Sequence, residues 1–264
     1  MALYFYQMPI WSVVLLFFGL VMAAIEIGYR AGHRTKEHWQ NAEAGGGNVV
    51  LSSMLLLLGL VLALTFATSV GNHQARQQAL IDGANAIGKV FLLADLVATP
   101  DAERLQKALL AYAHTQVIAQ GDALTSQQLR DLVDASTHAA DAIWRVTQEI
   151  LDAKEAGAFD VSLGLAVTDL FSSHRLRNWS VFYRLPGIVL TILVLIATVS
   201  VAIGGFNAGI SGKISRSRMT ALALVLSGVM LLLVDLDHPV SGFIQVDQNS
   251  IQTLIANMQK ALGT

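Results

Sequence analysis

Residues 49–70 read VVLSSMLLLLGLVLALTFATSV, a run without one ionisable side chain. About 20 apolar residues in a helix cover roughly 30 Å of hydrocarbon, so this stretch is long enough to cross a bilayer. Working outward, three more runs approach that length: Ile10 to Tyr29, Leu185 to Phe206 and Met219 to Val234. The first is preceded by no basic residue and carries Glu26 where a cleavage site would lie, so it reads as a retained anchor and not as a signal peptide. The fourth holds only 16 residues before Asp235, about 24 Å of helix, which suits a thinned bilayer or a protein neighbour.

Composition agrees with four spans. Of 264 residues 54% are hydrophobic and 14% charged, against roughly 25% charged in an ordinary globular chain. The formal charge of −2 offers no broad basic surface, which excludes a nucleic-acid partner. The absence of cysteine removes disulfides, thiolate metal sites, iron–sulfur clusters and a thiol nucleophile.

Between the second and third spans the character changes. Gly71 to Asn178 carries nine Lys/Arg and thirteen Asp/Glu, and its apolar residues recur at helical spacing, as in Leu105, Leu109 and Tyr112 or Ile143, Val146 and Ile150. Three or four amphipathic helices are expected, with starts near Thr99-Pro100-Asp101 and Thr125-Ser126, and the part from His73 on can continue the second span out of the membrane. The predicted fold is therefore an all-α membrane protein. Residues 1–70 hold spans one and two with a short basic loop, 71–178 the extramembrane helical domain, 179–236 spans three and four, and 237–264 a C-terminal interfacial segment. Arg30, Arg34 and Lys36 in one short loop and Lys213, Arg216 and Arg218 in the other favour a cytoplasmic side for both loops, which puts the termini and the helical domain outside.

Polar residues within these spans are the candidate functional groups. Glu26 lies inside an apolar run, where an ionised carboxylate costs a few kcal/mol or more unless it is paired or hydrated. Arg30 is four residues on and on the same helical face. The pair reads either as an interfacial anchor or as a charged element at a pore mouth or subunit contact. Asp235 and Asp237 close the fourth span just before His238-Pro239. Two carboxylates at i and i+2 share a face only in extended chain, which Pro239 favours at His238. They read as a cation or proton site, or as caps and partners for arginines such as Arg76 or Arg184. Gly59, Ala63 and Ala67 recur every four residues and mark a face for close helix packing. Asn85 and Gly88, among small residues, read as a close helix contact. Thr65, Thr68, Ser69, Thr191, Thr198 and Ser200 either line a water path or bond back to their own helices. The seven histidines show no metal-binding spacing, and no hydrolase, phosphate-loop or dinucleotide motif occurs. No metal and no cofactor is expected, and a membrane enzyme is the least supported class.

In chain order, Glu26-Ile27-Gly28-Tyr29-Arg30-Ala31-Gly32, Leu64-Thr65-Phe66, Arg76 with Ala84-Asn85-Ala86-Ile87-Gly88, Leu110-Ala111-Tyr112, and Leu233-Val234-Asp235-Leu236-Asp237-His238-Pro239 resemble the bestrophin-like domain family of bacterial membrane proteins. The resemblance covers nearly the whole chain. Two positions depart from the family pattern: Gly83 stands where a Glu is usual, and His238 where an Arg is usual. An ion pair between those two positions in relatives would be absent or altered here. The resemblance implies a bacterial inner-membrane location and, by analogy with the bestrophins, a pentameric channel with four membrane helices and a helical soluble part.

Two function classes follow. One is a homo-oligomeric channel with its path on the symmetry axis, in which Arg30 or Arg76 would form the ring for anions, and Glu26 or the Asp235/Asp237 pair the ring for cations. The other is a non-conducting structural or accessory protein that docks another membrane protein through its helical domain. The lipid bilayer and copies of the chain itself are the expected partners of both.

Overall fold

A computed structural model describes residues 10–36, 46–98, 100–118, 126–152, 157–182, 185–212, 215–237 and 242–263. Among these residues the secondary structure is helical throughout: α1 (Ile10–Arg34), α2 (Gly46–Ala94), α3 (Asp101–Thr115), α4 (Ser126–Asp152), α5 (Ala158–Phe182), α6 (Gly187–Ser211), α7 (Arg216–Asp237) and α8 (Asn249–Leu262). Four of them, α1, α2, α6 and α7, are long and apolar enough to cross a membrane. The chain divides into two compact units, one of residues 1–71 with 184–238 and the other of 72–183 with 239–264.

The first unit contains the four apolar helices. Val13, Phe17, Val21 and Ile25 of α1 recur every four residues and pack with Leu193, Ala197 and Val201 of α6 and with Ala223, Met230 and Leu233 of α7. Burial here is modest. Only 11% of the most apolar window of α2 is enclosed within the chain, against 39% in α7, and Leu15, Leu56, Leu60, Leu195 and Val225 point outward. In water this would be an aggregation hazard. In a bilayer it is the expected surface, because lipid tails solvate leucine as well as a protein interior does.

α2 is one unbroken helix of 49 residues, about 74 Å long at 1.5 Å per residue. As the sequence suggested, the segment from His73 continues the span without a break, since no proline interrupts it before Pro100. Its last six turns belong to the second unit, where Leu80, Ala84, Ile87 and Phe91 join Leu105, Leu109 and Tyr112 of α3, Ile143 and Ile150 of α4, and Leu163, Val167 and Leu170 of α5 in one core. α3 starts at Asp101 with Asp101 and Glu103 in its first turn, where acids suit the positive end of the helix dipole. The start of α4 is Ser126, and Thr125 lies outside the described residues.

Two boundaries differ from the sequence reading. Residues 237–264 were set apart as an interfacial segment, yet α8 buries Ile251, Ile255 and Met258 in the core of the second unit. The i, i+4, i+7 spacing of those three side chains is an amphipathic stripe that finds a protein face. The fourth span is also longer than its uncharged part: α7 runs from Arg216 to Asp237 and includes both acids in the helix. His238 and Pro239 lie outside the described residues.

Candidate functional site

α1 presents two unlike faces. On one, Gly28 and Gly32 meet α6 so closely that a methyl group added at either would land on the carbonyl oxygens of Ala202 and Phe206. The contact is reciprocal: Gly205 lies against the backbone of Ile25 and Tyr29, and Gly209 against Tyr29, Gly32 and His33. Both glycine pairs are spaced by four, so two glycine ridges interlock and bring backbones into contact. Residue numbers rise together along the two helices, which makes α1 and α6 parallel. First and third spans of a four-span chain must run the same way. At the end of the contact, Gly212 closes α6 in the left-handed conformation, with φ +67°, and the Lys36 ammonium lies 2.9 Å from where a Cβ would stand.

The opposite face of α1 carries the charges. At 100° per residue, Glu26 and Arg30 lie about 160° and 200° around the helix from Gly28. The Arg30 Nε donates to Glu26 Oε1 at 2.9 Å, the i,i+4 arrangement expected from the spacing. The pair is not covered by its own chain: the side chains are 70% and 38% exposed for Arg30 and Glu26.

The two acids of α7 are buried in the first unit, both 1% exposed. Asp237 Oδ1 accepts the backbone N–H of Leu185 at 2.8 Å, just ahead of Pro186 and the first turn of α6. Asp237 is thus placed as a cap on a neighbouring helix start, where the dipole favours a carboxylate. The extended geometry foreseen for the two acids is not adopted. In the helix, Asp235 and Asp237 point about 200° apart, so they do not converge on one ligand. Among the described residues no group of three His, Asp or Glu side chains is arranged to hold a metal.

The remaining candidates are scattered. Gly59, Ala63 and Ala67 face outward on α2, and among the described residues nothing lies within 4 Å of a Cβ built at Gly59. Arg76 is buried in the second unit. Asn85 faces solvent while Ala84 and Ile87 face the core, because Asn85 lies 100° around the helix from Ala84. Gly88 faces Leu254 of α8, at 3.5 Å from a built Cβ. Five of the span hydroxyls bond back to their own helices, Thr65 to Val61, Thr68 to Leu64, Thr191 to Gly187, Thr198 to Val194 and Ser200 to Ile196, at 2.7–2.9 Å, whereas the buried Ser69 hydroxyl has no partner among the described residues.

The second unit holds a polar cluster that sequence reading missed. Tyr112 of α3 and His174 of α5 are buried, and the Tyr112 hydroxyl lies 3.0 Å from His174 Nδ1. On the other side of the ring, Asn178 Nδ2 is 3.0 Å from Nε2, and Thr137 Oγ1 of α4 is 3.5 Å from it. One turn along α5, the Arg177 guanidinium donates to the side-chain and backbone oxygens of Gln116. Burial pushes the Tyr112 phenol well above its usual range. Burial and then the Arg177 charge hold the imidazole of His174 below its ordinary value, with Asp141 acting weakly in the other direction. Next to the cluster, Gln248 Nε2 donates to Ile118 O at 2.8 Å and Ile118 N donates to Gln248 Oε1 at 2.9 Å. Gln77 closes a like pair with the backbone of Asp247, at 3.2 and 2.8 Å.

The family model described as Bestrophin-like domain matches residues 15–251. The chain belongs to the bestrophin-like family. The matched region takes in all four spans and most of the second unit of this bestrophin-like protein. No curated protein and no solved structure matches the chain.

What the bestrophin-like sequence had on view, and what it hid, differ by range. Gly28 and Gly32 stand in the first motif, and the four-residue spacing there and at Gly205 and Gly209 was the available signal for the α1–α6 contact. Tyr112 and His174 are separated by 62 positions, and no local pattern joins them.

Proposed function

We propose that this bestrophin-like membrane protein is a homo-oligomeric channel of the bacterial inner membrane, with its ion path on the symmetry axis between copies. The observation that supports the reading is the outward Glu26–Arg30 pair. It stands on a span whose inner face is already occupied by α6, and an ion pair turned toward lipid is costly unless protein, water or headgroups cover it. A second copy supplies such a cover, and the outward Gly59, Ala63 and Ala67 supply a surface on which helices can approach. Four spans are few for a transport cavity inside one chain, which favours a path shared by several.

Arg30 or Arg76 would set an anion preference, and Glu26 or the Asp235/Asp237 pair a cation preference. With both aspartates buried and Asp237 engaged at Leu185, Arg30 and Glu26 are the groups to test first. The test is current across planar bilayers holding purified protein, with E26Q and R30Q measured beside the parent. Conduction whose reversal potential moves with either variant supports the proposal. Silence of all three proteins over a wide range of voltage and salt overturns it.

The second reading, a non-conducting accessory protein that docks a membrane partner through the extramembrane helices, is favoured by the five back-bonded hydroxyls, whose oxygens are engaged within their own helices. It predicts an oligomer, or a complex, without current.

A further inference from the structure

Three helices of the extramembrane unit converge on one imidazole. Tyr112 comes from α3, Thr137 from α4, and Asn178 lies one turn along α5 from His174 itself. We propose that His174 is a proton-sensitive joint of the extramembrane unit, which holds α3 and α4 to α5 while its ring is neutral and releases them when the ring is protonated.

The geometry carries this inference. A neutral imidazole has one donor nitrogen and one acceptor nitrogen, and both are engaged here. With the Asn178 amide nitrogen facing Nε2, that atom accepts, and Nδ1–H is donated to the Tyr112 hydroxyl. A second proton would turn Nε2 into a donor facing the Asn178 amide nitrogen, with the Thr137 oxygen at 3.5 Å as its one acceptor among these contacts. It would also place a new cation beside Arg177, whose described partners are the neutral oxygens of Gln116. The ring is 6% exposed, so water cannot solvate the new charge unless the cluster opens.

Among the described residues, the groups that act on the ring come from three elements. From α3 there is the Tyr112 phenol, which burial keeps protonated. From α5 itself there is Arg177, which opposes protonation. From α4 there is Asp141, which favours it from an exposed position and acts less strongly than Arg177. The direction of the pH effect follows. The folded ring binds its proton less tightly than an imidazole at the usual 6.5, so opened chains take up the proton first. The contribution of the neutral ring is complete above about pH 6.5 and is lost as the pH falls below it.

The test is thermal unfolding of the full chain in detergent between pH 8 and pH 5, followed by the fluorescence of Trp144, which packs edge-on against Phe171 between α4 and α5, in a background where Trp11, Trp39 and Trp179 are replaced by phenylalanine. The parent midpoint is expected to fall by several degrees on acidification. H174Q, which is neutral at every pH, is expected to remove that fall. D141N, a change at an exposed side chain, removes a group that favours the proton on the folded ring and is expected to deepen the fall and extend it to lower pH, and H138Q on the outer face of α4 to leave it unchanged. The proposal is overturned if H174Q keeps the parent's response, if D141N does not deepen it, or if H138Q abolishes it. Should H174Q fail to fold, D141N alone decides. None of these readings depends on conduction, so the joint and the channel stand or fall separately.

Discussion

Asp237 Oδ1 accepts the backbone N–H of Leu185 at 2.8 Å, so the last residue of α7 holds the chain where it enters α6. The two residues are 52 positions apart. A buried amide left without an acceptor costs about 1–3 kcal/mol. D237A is therefore expected to destabilise the first unit by about that much, and D237N, which keeps a carbonyl oxygen at the same place, by less. Thermal unfolding in detergent compares them, and equal losses in both variants would argue against the bond.

The interlocked glycines make a sharper prediction. At Gly28 or Gly205 any side chain meets backbone, which cannot turn aside. Overpacking of this kind costs about 1–3 kcal/mol or more. G28V and G205V are expected to lower the unfolding midpoint, while G19V, where nothing lies within 4 Å of a built Cβ, should leave the single chain unaffected. A fall in G19V equal to that in G28V would show that bulk on α1 is harmful wherever it is placed.

E26Q and R30Q separate the stability of one chain from that of the assembly. The pair is largely exposed within the chain, and exposed i,i+4 pairs contribute about 0.3–0.5 kcal/mol. Neither variant is expected to move monomer unfolding by more than that. Under the proposed function both are expected to shift the oligomer distribution, read by native mass spectrometry. An unchanged distribution would leave this face of α1 without a role between copies.

Removing the Tyr112 hydroxyl is expected to cost about 1 kcal/mol, the typical net worth of one hydrogen bond. Y112F deletes a single bond to His174 Nδ1 and leaves the buried ring of Tyr112 in place. Unfolding above pH 7 measures the loss, with F91L in the same core as a packing control.

Gln248 holds α8 to the chain after α3 through two bonds to Ile118. At about 1 kcal/mol each, Q248A is expected to weaken this attachment by about 2 kcal/mol. The readout is faster proteolytic cleavage between α7 and α8, with the rest of the chain cut no faster.

The parts legible in the sequence were those set by local periodicity. Uncharged runs of twenty residues announce spans, and a proline before an acidic turn announces α3. The continuity of α2 past His73 was also visible, because nothing in that stretch breaks a helix. Contacts between distant positions were not. Ile251, Ile255 and Met258 show an apolar stripe, but a stripe does not say whether lipid or protein covers it. The acids at 235 and 237 invited an extended reading from Pro239, yet both lie within the helix. Asn85 sits among small residues that pack, yet one position along a helix is enough to turn a side chain from core to water.

The unbroken course of α2 restricts how this chain can change length. Adding one residue between Leu80 and Ala84 would screw the later side chains of the rod forward by 100° relative to Leu80 and push them along by 1.5 Å, so that Leu80 could no longer share one core with Ile87 and Phe91. Only additions of about seven residues, close to two whole turns, bring the same faces back into line. Natural variants of this helix should thus differ in side chains far more readily than in residue number, and gaps between relatives should collect where the chain is not a rod.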